Sequence, residues 1–286
     1  MKVRSGQCII AVMANEEPEE ELSRKDRIDE AWDALDDGDL DSAVATALAL
    51  VNEDDSDAEA LYLAGSALLE AERFEEAEPH LRRAAEIDPD DLDAQAALAQ
   101  LLYESCRFDE AREEVEAVLK EDPKDAYMHH LSARLAERRG EWAASEEEDR
   151  VAQRLAPDDY PLPIRFERGE FDDAVEAAIG ELPPQFREKM ANLAVIVEDL
   201  PSDDHLRLLE DPTPGLLGLF VGTPLPEKSL GDLPRPPDAV YLFKRNLERI
   251  CESRGELIEE IRITLLHEVG HFMGLDEDQI ADAGYE

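Results

Sequence analysis

Cysteine is scarce in this 286-residue chain. There are three, Cys8, Cys106 and Cys251, odd in number, far apart and without a CxxC pair. That excludes a disulfide framework and points to a reducing compartment, read here as the cytoplasm. Basic charge is scarce too: 29 Lys and Arg stand against 72 Asp and Glu, a net charge of −43. So acidic a surface repels nucleic acid and anionic membranes, and suits basic or neutral partners. Long apolar runs are absent, since none approaches the roughly 20 residues that span a bilayer. The acidity does not imply disorder, because 43% of the residues are apolar and they are strongly patterned.

At the N-terminus Lys2 and Arg4 precede the apolar stretch CIIAVMA, residues 8–14. The stretch is at the short limit for a signal peptide. Residues 1–23 therefore read as a flexible leader, with Met13 as an alternative start.

A period of 34 residues fills the first half. Pro89, Pro123 and Pro157 close the phrases AAEIDPD, VLKEDPK and AQRLAPD. Twelve residues before each proline stands a small residue: Ala77, Ala111 and Ser145. Apolar residues recur at helical spacing on both sides of these positions, so each unit reads as two amphipathic helices stopped by a proline. A helix-turn-helix repeat of this length resembles the tetratricopeptide repeat. Units at 24–57, 58–91, 92–125 and 126–159 place small residues where paired helices touch: Ala31 and Ala43, Gly65 and Ala84, Ala99, Ala133 and Ala152. In the last unit Ser145 and Asp149 are expected to weaken the second helix. The resemblance implies a scaffold that binds a protein or peptide along an inner groove. First-helix residues Trp32, Tyr62, Gln100, Tyr103, His130 and Arg134 would line it. The Lys and Asn set with which some repeats clamp a terminal carboxylate does not stand at the matching positions. His129 and His130 read as ordinary helix residues.

After Pro161 and Pro163 the period breaks. One more repeat-like helix, about 171–182, is followed by three β-rich segments: LAVIVED (193–199), GLFVGTP (218–224) and DAVYLFKR (238–245). Pro224, Pro226, Pro234, Pro236 and Pro237 make the connection between the last two irregular. A long amphipathic helix, RGELIEEIRITLLHEVGHFMGL, comes last. The order is α+β, with a small sheet packed on that final helix. Pattern thus divides the chain into a leader (1–23), repeats (24–159) and a C-terminal domain (160–286).

The final helix carries HEVGH, residues 267–271. Residues four apart share a helix face, so His267 and His271 can reach one Zn²⁺ ion. Glu268 lies beside them, placed to take a proton from a water that zinc acidifies. An HExxH string also arises by chance in acidic helices, but two observations oppose that here. Buried histidines without a partner are costly, and Gly274 stands where the helix must end for the chain to turn back. In the pattern HExxHxxGxxH the third ligand follows that glycine by three residues. Here Glu277 holds the place, between Asp276 and Asp278, and a carboxylate also serves zinc. Tyr241 and Arg262 are of types that steady a transition state, but no spacing places either.

Several stretches in order, FDDAVEAAIGELPPQF, LAVIVEDLPSDD, GLFVGTPL, LPRPPDAVYLFKRNLERIC and ITLLHEVGHFMGLDEDQI, resemble the minimal zincin-like family over residues 168–286. The resemblance implies a compact zinc-metallopeptidase fold. It also implies His267, His271 and an acidic third position as ligands, and Glu268 as the catalytic carboxylate. The expectation is a zinc metalloendopeptidase whose repeats recruit a protein substrate or regulator. The alternative is an interaction scaffold whose C-terminal zinc-binding domain is structural or regulatory, without turnover.

Overall fold

The structure is a computed structural model of the chain. It describes residues 23–182, 184–190, 193–227 and 238–282, with the side chains of 184–186 and 282 left aside. The leader, the alternative start at Met13, Pro234, Pro236, Pro237 and residues 283–286 lie outside the described residues. Packing divides the chain into two compact units, one ending at Pro89 and one beginning at Asp90.

The first unit holds two helix pairs: α1 (Arg24–Asp36) with α2 (Leu40–Glu53), and α3 (Ala58–Glu70) with α4 (Phe74–Ile87). The small residues lie at the contacts the repeat requires. Ala31, Ala43, Gly65 and Ala77 are all buried, and a Cβ on Gly65 would overlap Leu81 of α4. Trp32 and Tyr62 pack ring to ring, with centroids 5.3 Å apart.

The second unit continues the period with α5 (Leu92–Glu104) and α6 (Phe108–Glu121), then α7 (Ala126–Arg138) and α8 (Trp142–Leu155). Asp57, Asp91 and Asp125, in phase with the repeat, cap the first helix of their pairs through backbone N–H groups. The tight turns inside the four pairs are in phase as well. Gly38, Glu72, Cys106 and Gly140 all take positive φ, between 56° and 78°. Ser145 and Asp149 do not weaken α8. It runs its full length, and Asp149 is buried in an ion pair with Arg134.

Beyond the repeats come α9 (Arg168–Glu181), α10 (Pro184–Lys189), β1 (Ala194–Glu198), α11 (Asp203–Leu206), β2 (Gly218–Val221), a 3-10 turn (Leu225–Glu227), β3 (Ala239–Phe243), α12 (Lys244–Ile250), α13 (Arg254–Met273) and α14 (Glu277–Asp282). The sheet has the order β1-β3-β2. β1 runs parallel to β3 with Ile196 opposite Tyr241, and β2 antiparallel with Phe220 opposite Val240. The strands match the three β-rich segments, except that DAVYLFKR ends as a strand at Phe243. Lys244 and Arg245 already belong to α12, which the sequence pattern does not reveal. Phe171, Val240, Leu242, Leu247, Ile261, Leu265 and Phe272 fill one core among α9, the sheet, α12 and α13. Among the described residues no helix is long and apolar enough to cross a membrane.

Candidate metal centre

Helix α13 is capped by Ser253, whose hydroxyl accepts the Glu256 N–H at 3.2 Å. Leu257, Ile261, Thr264, Leu265, Glu268 and Phe272 recur at helical spacing and are buried. That burial fixes the rotation of the helix and turns His267 and His271 toward a cleft of about 580 Å³. The cleft is walled by Leu219 and Phe220 of β2, by Pro224 and by Leu275. An edge-to-face contact between Phe220 and Phe272, with centroids 5.7 Å apart, pins β2 to the helix.

Gly274 ends α13 in the left-handed conformation, with φ of 83°. Its N–H donates to the carbonyl of His271 at 3.0 Å, and the N–H of Leu275 donates to that of Gly270 at 3.1 Å. These bonds reverse the chain where the glycine spacing predicts a helix end. Pro226 packs so close to Gly274 that a Cβ would lie 2.8 Å from its ring. α14 then folds back over Gly270, where Ile280 is fully buried and a Cβ would meet it at 2.9 Å. The bare surface of Gly270 is therefore the seat of α14.

The reversal brings Glu277 to the histidines. The two Nε2 atoms lie 3.0 Å apart, and the Glu277 carboxylate oxygens lie 3.5 Å from that of His267 and 3.3 Å from that of His271. One ligand atom from each residue falls within 4.8 Å of the others. Ligand atoms about 2.0–2.1 Å from a tetrahedral zinc are spaced by roughly 3.3 Å, so this donor set fits the ion in both chemistry and size. Asp276 is occupied otherwise, its Oδ1 accepting the N–H of Gln279 at 3.0 Å. Asp278 is not among the clustered donors. His129 and His130 are also elsewhere: His129 meets Glu148 at 2.6 Å, and His130 stacks on Tyr160.

Glu268 is 8% exposed and points between α13 and β2. Burial pushes its carboxyl up to about 7; the backbone N–H of Phe220 donates to it and opposes that shift, while Glu277 adds to it. Burial also lowers His271, with His267 adding to the effect and Glu277 opposing it. The neutral imidazole that binds metal is thereby favoured. Gly218 supplies the room for Glu268, because a Cβ there would lie 2.9 Å from Glu268 Cγ and 2.7 Å from Thr264 Cγ2. No motif marks Gly218 in the sequence; its one signal is that a glycine opening a β-rich run often accompanies a close approach. Tyr241 and Arg262 do not line the cleft: Tyr241 packs on His205, and Arg262 pairs with Glu259.

The sequence matches known families in two places. Residues 190–285 match the family model of a zincin-like metallopeptidase. Two tetratricopeptide-repeat models match residues 28–91 and 68–135. A search of curated proteins finds no match. Among solved structures, a crystal structure of MamA is 19% identical with a TM-score of 0.43, covering 49% of this chain and 82% of that one. MamA 41-end from Desulfovibrio magneticus RS-1 is 17% identical with a TM-score of 0.42, covering 59% and 89%.

Proposed function

We propose that this chain, which joins tetratricopeptide repeats to a zincin-like metallopeptidase domain, is a zinc-dependent endopeptidase. The observation that supports this most is the convergence of His267, His271 and Glu277 beside a buried Glu268. The two imidazoles and the Glu277 carboxylate would hold Zn²⁺. The ion, when bound, supplies Lewis-acid polarisation of a peptide carbonyl and a more acidic water.

Every other task falls to the protein. Glu268, buried and with a proton affinity near neutrality, takes the proton of the attacking water and passes it to the departing amine. Phe220 steadies Glu268 through its backbone N–H. Leu219, Phe220 and Leu275 give the cleft an apolar wall, which favours a substrate side chain over bulk water there. The repeats recruit a protein partner, either the substrate or a regulator, and the acidic surface favours a basic one.

A second reading, a metal-stabilised interaction protein without turnover, is supported by the tetratricopeptide-repeat matches over residues 28–135, since such arrays serve as binding scaffolds. Cleavage of a peptide library by metal-loaded wild type and by Glu268→Ala separates the two. Cleavage lost in the variant, with metal retained, supports the peptidase. Equal and negligible cleavage in both supports the scaffold.

A further inference from the structure

Tyr103 and Arg134, expected on an open groove, are 7% and 3% exposed. Beside Arg134, on α7, stands a set of cations from the C-terminal half of the same chain. Glu137, on the same helix, has a fully buried side chain. Arg165 donates to its carboxylate at 2.8 Å, Arg249 donates to the other oxygen, and Arg245 lies 3.7 Å away. These guanidiniums hold Glu137 below the usual carboxylate range against the cost of burial. Arg165 also bridges to Glu248, which accepts from Lys244 at 2.5 Å and from the N–H of Phe166 at 2.8 Å. The inner face of the last repeat thus grips α12.

α12 is not an isolated helix. It continues β3 without a break, and its first turn carries Asn246, 1% exposed. Arg249, the residue held by Glu137, donates to Asn246 Oδ1 at 3.3 Å. The Asn246 amide donates to the carbonyls of Pro214 at 2.8 Å and Leu216 at 2.7 Å. Those carbonyls belong to the segment that enters β2, and β2 holds Glu268 by the N–H of Phe220 and by the clearance at Gly218. The links are buried or part-buried hydrogen bonds and ion pairs, and breaking one costs free energy.

We propose that Glu137 of repeat helix α7 is a positioning residue for Glu268, acting through Arg249 and Asn246 on strand β2. The last repeat is then part of the frame of the catalytic domain, and partner recruitment falls to other repeat surfaces. The geometric claim stands apart from turnover; only its consequence for rate rests on the peptidase reading.

The test is residue-resolved hydrogen exchange on the full chain, comparing wild type with Glu137→Gln, Arg249→Lys and Asn246→Ala. Arg249→Lys keeps a charge beside Glu137 but loses the fork that also reaches Asn246. Amides of residues 216–221, Phe220 included, should exchange about tenfold faster in each variant, while those in the middle of α9 and α13 keep their wild-type rates. The Glu137→Gln, Asn246→Ala double variant should be no faster at Phe220 than the faster single. Wild-type exchange at β2 in folded Glu137→Gln would overturn the proposal. So would a uniform acceleration across residues 90–282, which marks a merely structural role. If Glu137→Gln does not fold, Arg249→Lys and Asn246→Ala decide by the same criteria. Absence of cleavage by wild type would remove the peptidase reading and leave the exchange result intact.

Discussion

Gly218 on β2 and Glu268 on α13 approach so closely that one added carbon would lie 2.9 Å from Glu268 Cγ and 3.0 Å from its Oε1. A side chain at 218 must move either the strand or the carboxylate. Gly218→Ala is expected to lower kcat for peptide cleavage by roughly a hundredfold, the scale on which a catalytic group displaced by about 1 Å loses rate. Zinc content should not change, because the atoms nearest to a Cβ at 218 belong to Thr264 and Glu268 and not to the three candidate ligands. Paired kinetics and metal analysis of the variant check this.

Gly274 is required twice, for its φ of 83° and for its contact with Pro226. Gly274→Ala should cost about 1–2 kcal/mol from the left-handed conformation alone, with more from the clash. Since this turn carries Glu277 back to the histidines, zinc affinity should fall along with the thermal midpoint. Calorimetry with and without metal measures both.

The four phased turns use glycine twice and a side chain twice. Glu72 is exposed and holds φ of 56°. Glu72→Gly is expected to raise stability by about 0.5–1 kcal/mol, the relief of left-handed strain less the added freedom of the unfolded glycine. Gly140→Ala at the equivalent turn should lower it by about 1 kcal/mol. Denaturant unfolding of the two variants gives opposite shifts if the phasing is what matters.

His130 packs on Tyr160, and burial, reinforced by Arg134 and Arg249, pushes its pKa down to about 3. In the unfolded chain it titrates near 6.5. The folded value is the lower one, so this contribution is fully present above about pH 6.5. It is lost as pH falls from there toward 3, when only the unfolded chain takes the proton. By pH 5 the loss amounts to at most about 2 kcal/mol. His130→Phe, which keeps the ring stacking, should lose less stability than wild type between pH 7 and pH 5. Other acidic groups of the Glu137 cluster are common to both proteins and cancel in the comparison.

Much of this architecture is legible in the sequence, and the reason is periodicity. A spacing of 34 residues marked by Ala77, Ala111 and Pro89, Pro123, Pro157 fixes the helix pairs, because small contacts and helix stops are local requirements. The HEVGH helix, the stop at Gly274 and the return to Glu277 are legible for the same reason: ligand spacing on a helix is set by backbone geometry. The Glu137 cluster is not. Its cations come from 165, 245 and 249, and no periodicity relates them to α7. Asp149 reads as a defect in α8 because its partner, Arg134, is a choice of tertiary packing. α12 is hidden because Lys244 and Arg245 follow a strand pattern without a turn, and the burial that distinguishes strand from helix there is not local.

The proposed activity depends on zinc held jointly by His267, His271 and Glu277. Calorimetric titration of metal-free protein with Zn²⁺ measures this on wild type, Glu277→Gln and Asp278→Asn. One equivalent should bind to wild type and to Asp278→Asn with equal affinity, and at least about tenfold more weakly to Glu277→Gln, the scale on which lost ligands or their supports act. No binding by wild type, or an unchanged affinity in Glu277→Gln, would mean that these three residues do not form the zinc site.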